Sequence, residues 1–260
     1  MDQIAATGTA VDDALIAGRD AAIDGATTRD VGLAVERSLE RSNAMPALRV
    51  VRDRGGPAFP GVCCVCVNEE LSHSPPRERV LRAGDLVSID VAAAVEAAGG
   101  VGGWHADAAC SFAVGDDAGR GNDLAAAARR VVLAAMGAAA PGGRWSVISR
   151  AARGEAERCG VRIVPGFAGH GIGQALHEPP AASFDTEPID DVVLRPGMVL
   201  TIEPIVTDGS GSTITLDDGW TVLAADRAWG CHEERTIGVT RDGIRVLAGG
   251  DWDDSDDRSA

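Results

Sequence analysis

Two predicted strands of this chain each carry a single acidic residue inside an otherwise apolar run. Asp90 interrupts Leu86–Val91, and Glu203 lies within Val199–Val206, where Pro204 follows it. Burying a carboxylate in such a strand costs free energy unless a cation or a hydrogen-bond partner compensates for it. The fold must therefore bring a partner to each acid, which restricts how distant parts of the chain can come together.

Three further residues complete a candidate metal site. Asp107 lies in a second apolar run, and His170 lies in the glycine-rich segment Gly169–Gly173. Glu234 lies at the start of the last predicted strand. Four carboxylates and one imidazole suit a pair of hard-to-borderline divalent ions. If these five residues converge, the protein is a hydrolase that uses two metals to activate water.

The first two aspartates belong to a predicted hairpin. Strands over Asp85–Val95 and Trp104–Val114 flank a glycine-rich turn. With the turn centred near Ala98-Gly99, Asp90 and Asp107 lie opposite each other and project to the same face. Two carboxylates so close repel, so a cation between them is favoured. The alternative is a pair of surface aspartates beside a turn, but the apolar run around Asp90 argues against it.

The glycines around His170 leave room for close approach by a ligand or by backbone. A lone histidine is more often structural, but His177 follows in the same glycine- and proline-rich region, which favours a functional loop. A phosphate-binding loop is the competing interpretation. No lysine follows the glycines and the P-loop spacing is absent, so we prefer the metal site.

The last strand offers two adjacent acids, Glu233 and Glu234. Side chains alternate between the two faces of a strand, so only one of them can face the site. His232, Glu234 and Thr236 share one face. We therefore expect Glu234 to be the ligand.

Composition narrows the functional class. The chain has 260 residues with 45% hydrophobic side chains, and its 24 basic and 39 acidic residues give a net charge of −15. This charge disfavours nucleic acid and anionic membranes as partners. We find no apolar run of the roughly 20 residues that a membrane span needs, and no signal-peptide pattern. A cytoplasmic protein with free thiols is expected. Cys64 and Cys66 have the spacing of half a zinc site, but no second pair follows, so packing near strands is preferred.

A helix–glycine turn–helix–strand pattern occurs twice. Helices are predicted over 11–23, from an N-cap at Thr28 to about 41, over 123–139, and from a cap at Ser146 to about 158. Gly25 and Gly142 are 117 residues apart and begin comparable segments, with Val31 and Ile148 matching at that offset. This predicts two related α+β halves, at about 1–118 and 119–248. The acidic segment 249–260 is predicted to be a disordered tail, with an interaction segment as the alternative.

Taken together, these phrases resemble the methionine aminopeptidases of the short, type I kind, within the pita-bread metallopeptidases. The resemblance extends from about Phe59 to Val246. The matching phrases are Val67–Glu69, His73, Gly84-Asp85, Ile89–Val91, Asp107, Gly169–Gly173, His177-Glu178, Leu194–Met198, Thr201–Pro204, Asp218–Thr221 and Glu234. The resemblance implies one α+β catalytic domain over residues 1–248, with a curved antiparallel sheet covered by helices.

The same resemblance implies a dinuclear metal-dependent aminopeptidase. Its substrates would be the N-terminal methionines of peptides or nascent proteins, and it would act as a monomer. Asp90 would bind one metal, Asp107 and Glu234 would bridge the pair, and His170 and Glu203 would complete the other. Manganese, iron or cobalt is expected at such a carboxylate-rich site, and zinc is an alternative.

Three residues receive catalytic roles from the resemblance. Glu203 would shuttle a proton, His177 would hold the substrate carbonyl or stabilise the oxyanion, and His73 would contact the substrate near the scissile nitrogen. The free amine of the substrate would bind near the metal held by Asp90, which would select cleavage at the N-terminus.

The methionine pocket is implied less completely. Phe59, Cys64 and Trp220 match its positions, whereas Leu176 stands where an aromatic residue is common and Arg235 where a histidine is usual. The hairpin between the two aspartates is also longer than in short bacterial members. Two alternatives therefore stay open: a specialised paralogue with another N-terminal preference or a dedicated peptide, and a catalytically silent peptide-binding relative. Silent members lose metal ligands, and this chain has all five.

Overall fold

Two pairs of helices cover the sheets of this protein. The computed structural model describes residues 1–51, 57–96, 103–115, 119–187 and 191–250. The helices run over Asp2–Ala21 (α1), Thr28–Arg41 (α2), Gly119–Gly137 (α3) and Trp145–Cys159 (α4), with a 3₁₀ turn over Ala47–Val50. The starts of α2 and α4 are 117 residues apart, and so are those of α1 and α3. The two helix pairs therefore recur at the offset seen in the sequence. This recurrence supports the proposal that the domain consists of two related halves.

The strands are short apart from one long hairpin. They run over Met45–Pro46 (β1), Cys64–Val67 (β2), Glu70–Ser72 (β3), Leu86–Glu96 (β4), Gly103–Ala113 (β5), Arg162–Ile163 (β6), Ala168–Gly171 (β7), Glu178–Ser183 (β8), Val199–Ile202 (β9), Ile205–Thr207 (β10), Thr213–Thr215 (β11), Val222–Ala224 (β12), Gly230–His232 (β13), Arg235–Val239 (β14) and Ile244–Ala248 (β15).

Two of the sheets supply the candidate metal ligands. In the first, β4 pairs with β5, β2 and β1; in the second, the order is β15-β14-β9-β7-β8. A backbone bridge between Ala109 of β5 and Glu234 joins the two sheets, with the Glu234 amide donating to the Ala109 carbonyl at 3.1 Å. The pairings within and between these sheets are antiparallel. The bridge places Glu234, between β13 and β14, against the middle of β5.

Each sheet has its own hydrophobic core. The apolar faces of α1 and α2, including Val11, Leu15 and Val31, pack with Ile89 and other residues of the first sheet. Helices α3 and α4 pack in the same way on the second sheet, where Trp145 and Ile148 are fully buried. Burial of these amphipathic faces stabilises helices whose intrinsic propensity alone would be marginal. The cores hold the sheets rigid behind the residues that face the seam.

The hairpin register differs from the prediction. Asp90 pairs with Ala109 and Asp107 pairs with Ala92, so the two aspartates are diagonal neighbours and not directly opposite. The ladder extends to the pair formed by Glu96 and Gly103. Residues 97–102 lie outside the described ranges. Because the register shift is two residues, both aspartates still project to the same face.

The starts of three helices differ from the predicted residues. Helix α1 starts at Asp2, well before the predicted residue 11, because Ile4 and Thr7 continue its buried face. Thr27, and not Thr28, caps α2 through a reciprocal pair of hydrogen bonds with Asp30. Helix α4 starts before Ser146, whose amide donates to the Asp191 carboxylate at 2.9 Å. That carboxylate is distant in sequence, so no local pattern indicates it.

The predicted strand over Met198–Val206 is divided into β9 and β10. Glu203 and Pro204 form the break, because proline has no amide hydrogen to donate to a ladder. The break turns Glu203 out of the sheet. Of the predicted tail, Gly249 and Gly250 are described, and the Gly249 amide donates to Asp12 of α1 at 2.7 Å. The rest of that prediction, 251–260, lies outside the described residues. No helix within the described ranges has the length and apolar character that crossing a membrane requires.

Candidate functional site

Five separate segments bring the predicted metal ligands to one cavity of about 880 Å³. Asp90 lies on β4, Asp107 on β5 and His170 on β7, while Glu203 follows β9 and Glu234 lies between β13 and β14. All five line the cavity. The five residues therefore lie around one common space.

Potential ligand atoms form two groups that share one residue. Asp107, His170 and Glu234 form one group, and Glu203, His232 and Glu234 form the other, each with its atoms within 4.8 Å of one another. Glu234 thus stands between two positions that an ion can occupy. Asp90 reaches the first group through its carboxyl, which lies within hydrogen-bonding reach of that of Asp107.

Several of these buried atoms have no hydrogen-bond partner among the described residues. They are Asp90 Oδ1, Asp107 Oδ1, Glu234 Oε1 and His232 Nε2. An unsatisfied buried polar atom costs about 1–3 kcal/mol, and more when the group is charged. Oxygen and imidazole nitrogen are the ligands that divalent metals such as manganese, iron and zinc accept. The donor set therefore fits a pair of divalent ions.

Burial and mutual repulsion raise the pKa of every carboxylate in the group. The pKa of Asp90 rises to about 6, from burial first and from the charge of Glu203 second. The pKa of Glu203 rises to about 8, mainly by burial. Those of Asp107 and Glu234 rise well above the ordinary range, again from burial and then from neighbouring acids. A bound cation would offset both causes.

His170 is oriented as a metal ligand would be. Its Nδ1 contacts the Gly171 carbonyl at 2.9 Å, and because a carbonyl only accepts, Nδ1 carries the proton. The lone pair of Nε2 then faces Glu203 Oε1 at 3.4 Å. Burial lowers the pKa of His170 to about 4, so the ring is neutral near pH 7. A backbone partner on the second nitrogen is typical of metal-bound histidines.

Thr201 and two glycines hold this part of the site. The Thr201 hydroxyl accepts from the His170 amide at 2.9 Å and donates to the Glu203 carboxylate. A Cβ at Gly169 would lie 2.6 Å from the Thr201 carbonyl, and one at Gly171 would lie 2.4 Å from that of Pro179. The glycines around His170 thus serve close packing between strands, which explains them without a phosphate.

Hydroxyl groups connect neighbouring strands beside the acids: Thr236 joins the two sheets, and Ser88 and Ser111 bind β13, which pairs with β10 in a separate sheet. The Thr236 hydroxyl donates to the Asp107 carbonyl at 2.7 Å and accepts from the Asp107 amide at 3.2 Å. The Ser111 hydroxyl donates to the His232 carbonyl at 2.7 Å, and Ser88 accepts from the His232 amide at 3.2 Å. We call Ser88, Ser111 and Thr236 the hydroxyl seam. Sequence reasoning missed the two serines, although their position in buried strands was a signal.

Glu233 and Arg235 point away from the cavity. Glu233 accepts from the Ser111 amide at 2.9 Å and from Arg235 Nη1 at 3.0 Å. Arg235 Nη1 also donates to the Glu234 carbonyl at 2.9 Å. Burial raises the pKa of Glu233 to about 7, and the charge of Arg235 opposes that rise. Arg235 is therefore not among the residues that line the cavity.

The apolar wall of the cavity includes three of the predicted pocket residues. The rings of Phe59 and Trp220 meet edge to face with centroids 5.2 Å apart, and Cys64 packs with them. Leu48 and Val51 also line the wall; sequence reasoning missed them because no motif marks them. Cys64 pairs with Asp90 in the β2–β4 ladder and its thiol hydrogen-bonds that carboxylate. Neither metal-ligand group of the described residues includes a cysteine, which argues against the zinc alternative at 64–66.

Leu176 does not reach this wall. It is 7% exposed and packs with Ala47, Ala92 and Ile172. It is not among the residues that line the cavity. Its position next to a predicted functional histidine did not predict its direction, because both residues lie in a bend between β7 and β8 where side chains follow no regular alternation.

Both predicted substrate-contacting histidines open into the cavity. The rings of His177 and His170 lie edge to face with centroids 4.5 Å apart. Desolvation by the cavity walls lowers the pKa of His177, with a smaller contribution from His105. His73 lies 6.4 Å from Trp220 between ring centroids, and its backbone adopts a left-handed φ of 55°. Such strain at a non-glycine residue is often found at functional sites.

Comparisons with known proteins agree with this geometry. The profile of metallopeptidase family M24 matches residues 2–241. Methionine aminopeptidase 1 of Bacillus subtilis is 36% identical over 223 residues, covering 86% of each chain. Methionine aminopeptidase 1 of Mycobacterium tuberculosis is 35% identical over 254 residues, covering 95% of this chain and 91% of its own.

The fold is shared with a solved structure. The crystal structure of a methionine aminopeptidase from Thermotoga maritima superimposes with a TM-score of 0.85 and 33% identity, covering 95% of both chains. The pita-bread architecture expected from the sequence is confirmed by this likeness. With the family profile matching most of its length, the chain belongs to metallopeptidase family M24.

Proposed function

We propose that this protein is a dinuclear metal-dependent aminopeptidase that hydrolyses the N-terminal methionine of peptides or nascent proteins, acting as a monomer. One observation carries the proposal. Asp90, Asp107, His170, Glu203 and Glu234 line one cavity, and an oxygen of Asp90, of Asp107 and of Glu234 has no hydrogen-bond partner in the part of the chain that the structure describes. The similarity to methionine aminopeptidases over nearly the whole chain supports methionine as the residue removed.

The metal roles are those that the family resemblance implies. Asp90 would hold one metal, His170 and Glu203 the other, and Asp107 and Glu234 would serve both. Membership of Glu234 in both groups supports its shared role. When bound, such metals lower the pKa of water and polarise the scissile carbonyl. Manganese, iron and cobalt suit the many carboxylates, and zinc would also be accepted.

Three side chains handle protons and substrate. Glu203, whose carboxylate accepts a hydrogen bond from the Thr201 hydroxyl, would accept and return a proton. His177 would donate a hydrogen bond to the substrate carbonyl and to the oxyanion that develops from it. His73, on the opposite wall beside Trp220, would contact the substrate near the scissile nitrogen.

The apolar wall selects the side chain. Phe59, Cys64 and Trp220 form a surface with Leu48 and Val51 packed against it. An unbranched, flexible methionine side chain fits such a wall and makes favourable contacts with aromatic rings. Leu176 and Arg235 depart from the family pattern, but neither lines the cavity. These departures therefore give no reason to prefer a specialised paralogue.

A peptide panel tests the proposal. We expect the metal-loaded protein to bind two divalent ions and to cleave Met-Ala-Ser, and to cleave peptides starting with Leu, Ala or Pro far more slowly. Asp107→Asn should lose metal and activity together. If no peptide is cleaved with manganese, iron or cobalt, the proposal that the protein is an enzyme is refuted. Preference for a first residue other than methionine would support the specialised paralogue.

A further inference from the structure

A histidine outside the predicted ligand set faces the same cavity. His232 is the last residue of β13 and is 5% exposed. It lines the cavity, and its Nε2 has no hydrogen-bond partner among the described residues. A buried imidazole of purely structural function would be expected to use both nitrogens. The unpartnered nitrogen therefore calls for another occupant.

Distances point to a shared ion. His232 Nε2 lies 3.7 Å from Glu234 Oε2, which is too long for a hydrogen bond. Two atoms that each bind one metal at about 2.0–2.2 Å can lie up to about 4.4 Å apart. Ligand atoms of Glu203, His232 and Glu234 all lie within 4.8 Å of one another. The spacing suits two ligands of one ion better than a direct contact.

The backbone of His232 is held firmly in this position. The hydroxyl seam binds its amide through Ser88 and its carbonyl through Ser111. Its backbone also pairs with Ile205 of β10. Contacts from β4, β5 and β10 thus fix the backbone of His232, and a fixed backbone is what a preorganised ligand requires.

We propose that His232 is a sixth protein ligand, which binds the ion that Glu203 and Glu234 would also contact. This inference rests on the proposed function, because it needs the metal pair. The pair would then have two imidazole ligands, His170 and His232. Imidazole favours zinc, iron and cobalt, whereas carboxylates suit manganese, so His232 would shift the preference of this position towards cobalt, iron and zinc.

Metal titration of the metal-free protein tests the role directly. We expect His232→Gln to weaken Co²⁺ binding at one of the two positions by about 100-fold, because even outer partners of metal ligands contribute 10–100-fold. Binding of Mn²⁺ should weaken less. His105→Gln is the matched control: the His105 ring contacts the Gly173 carbonyl at 3.2 Å and does not line the cavity, so metal affinities should not change.

The NMR spectrum of the Co²⁺-loaded protein gives a second readout, and its main result comes from the unmodified chain. Two imidazoles of that chain should show hyperfine-shifted ring signals. The variants assign them: one set should disappear in His232→Gln and the other in His170→Gln. A single shifted imidazole in the unmodified chain would overturn the inference even if the His232 variant failed to fold. So would unchanged Co²⁺ affinity in a folded His232→Gln protein.

Failure of this inference is distinguishable from failure of the proposed function. A chain that binds two metals and cleaves Met-Ala-Ser, but shows one coordinated imidazole, refutes only the role of His232. A chain that binds no divalent metal at all refutes both.

Discussion

The chemistry of single residues explains why the cavity needs cations. Asp90, Asp107, Glu203 and Glu234 share a buried space, and burial is the largest cause of the raised pKa of each. Without metal, protons must take the place of positive charge. His170 stays neutral there, so it can offer a lone pair and not a charge. Metal binding to this set should therefore release protons.

Substitution of His177 tests whether catalysis can be lost while the metals stay bound. We expect His177→Ala to lower kcat by about 100- to 1,000-fold, the loss typical of one oxyanion donor. Metal content should stay at two ions, because no ligand atom of His177 belongs to either metal-binding group. Kinetics with Met-Ala-Ser and metal analysis of the same sample check both parts. Loss of metal from this variant would show that the proposed role is wrong.

At the scale of elements, the hairpin and the hydroxyl seam decide the geometry. Strands β4 and β5 place Asp90 and Asp107 on one face, and the Ala109–Glu234 bridge brings the third acid against them. Thr236 binds both the amide and the carbonyl of Asp107. The acids are thus fixed by backbone pairing between sheets, which makes their positions independent of flexible loops.

Behind the metal ligands, a buried ion pair between Glu233 and Arg235 supports the start of β14. We expect Arg235→Met to lower the free energy of unfolding by about 3 kcal/mol, because it leaves the buried Glu233 carboxylate with less compensation. Glu233→Gln combined with Arg235→Met should recover much of the loss. Urea unfolding of the metal-free proteins measures both changes.

An exposed ion pair provides the control for that prediction. Arg245 pairs with Asp2 at the surface, with side chains 51% and 94% exposed. Arg245→Met should change the free energy of unfolding by less than about 1 kcal/mol, as is typical of surface pairs. Equal effects of the two arginine substitutions would contradict the importance of the buried pair.

At the scale of the whole molecule, the acid cluster links stability to pH and metal. The pKa values of Asp90 and Glu203 rise to about 6 and 8 in the folded chain, above their ordinary values. Between about pH 4 and 8 the folded state thus binds more protons than the unfolded state, so the contribution of these groups to stability falls as pH rises. It is fully present only below the unfolded values.

Metal removal should reveal this dependence. We expect the difference in Tm between the Mn²⁺-loaded and chelator-treated protein to be larger at pH 8 than at pH 6, because bound metal replaces the protons that are lost. Calorimetry at both pH values measures it. A difference that is equal or smaller at pH 8 would show that the acids do not titrate as a buried cluster.

Local patterns predicted the elements that local forces determine. The limits of α2 were close, because its apolar spacing and capping threonine lie within one segment. The start of α4 and the division of the strand at Pro204 were less well predicted. The first depends on Asp191, which is far along the chain. The second had a local signal that the strand prediction did not use, because Pro204 cannot donate to a strand ladder.

By itself, the sequence determined which chemistry this protein must accommodate. Acids within apolar strands, and a histidine among glycines, require partners wherever they are buried, because desolvation acts on each residue separately. Only the tertiary structure decided which residues become the partners of these acids and of the histidine. It shifted Asp90 and Asp107 by two residues, kept Leu176 from the cavity and brought His232 into it. Those outcomes depend on pairing between strands that lie far apart in the chain, and no local pattern encodes that pairing.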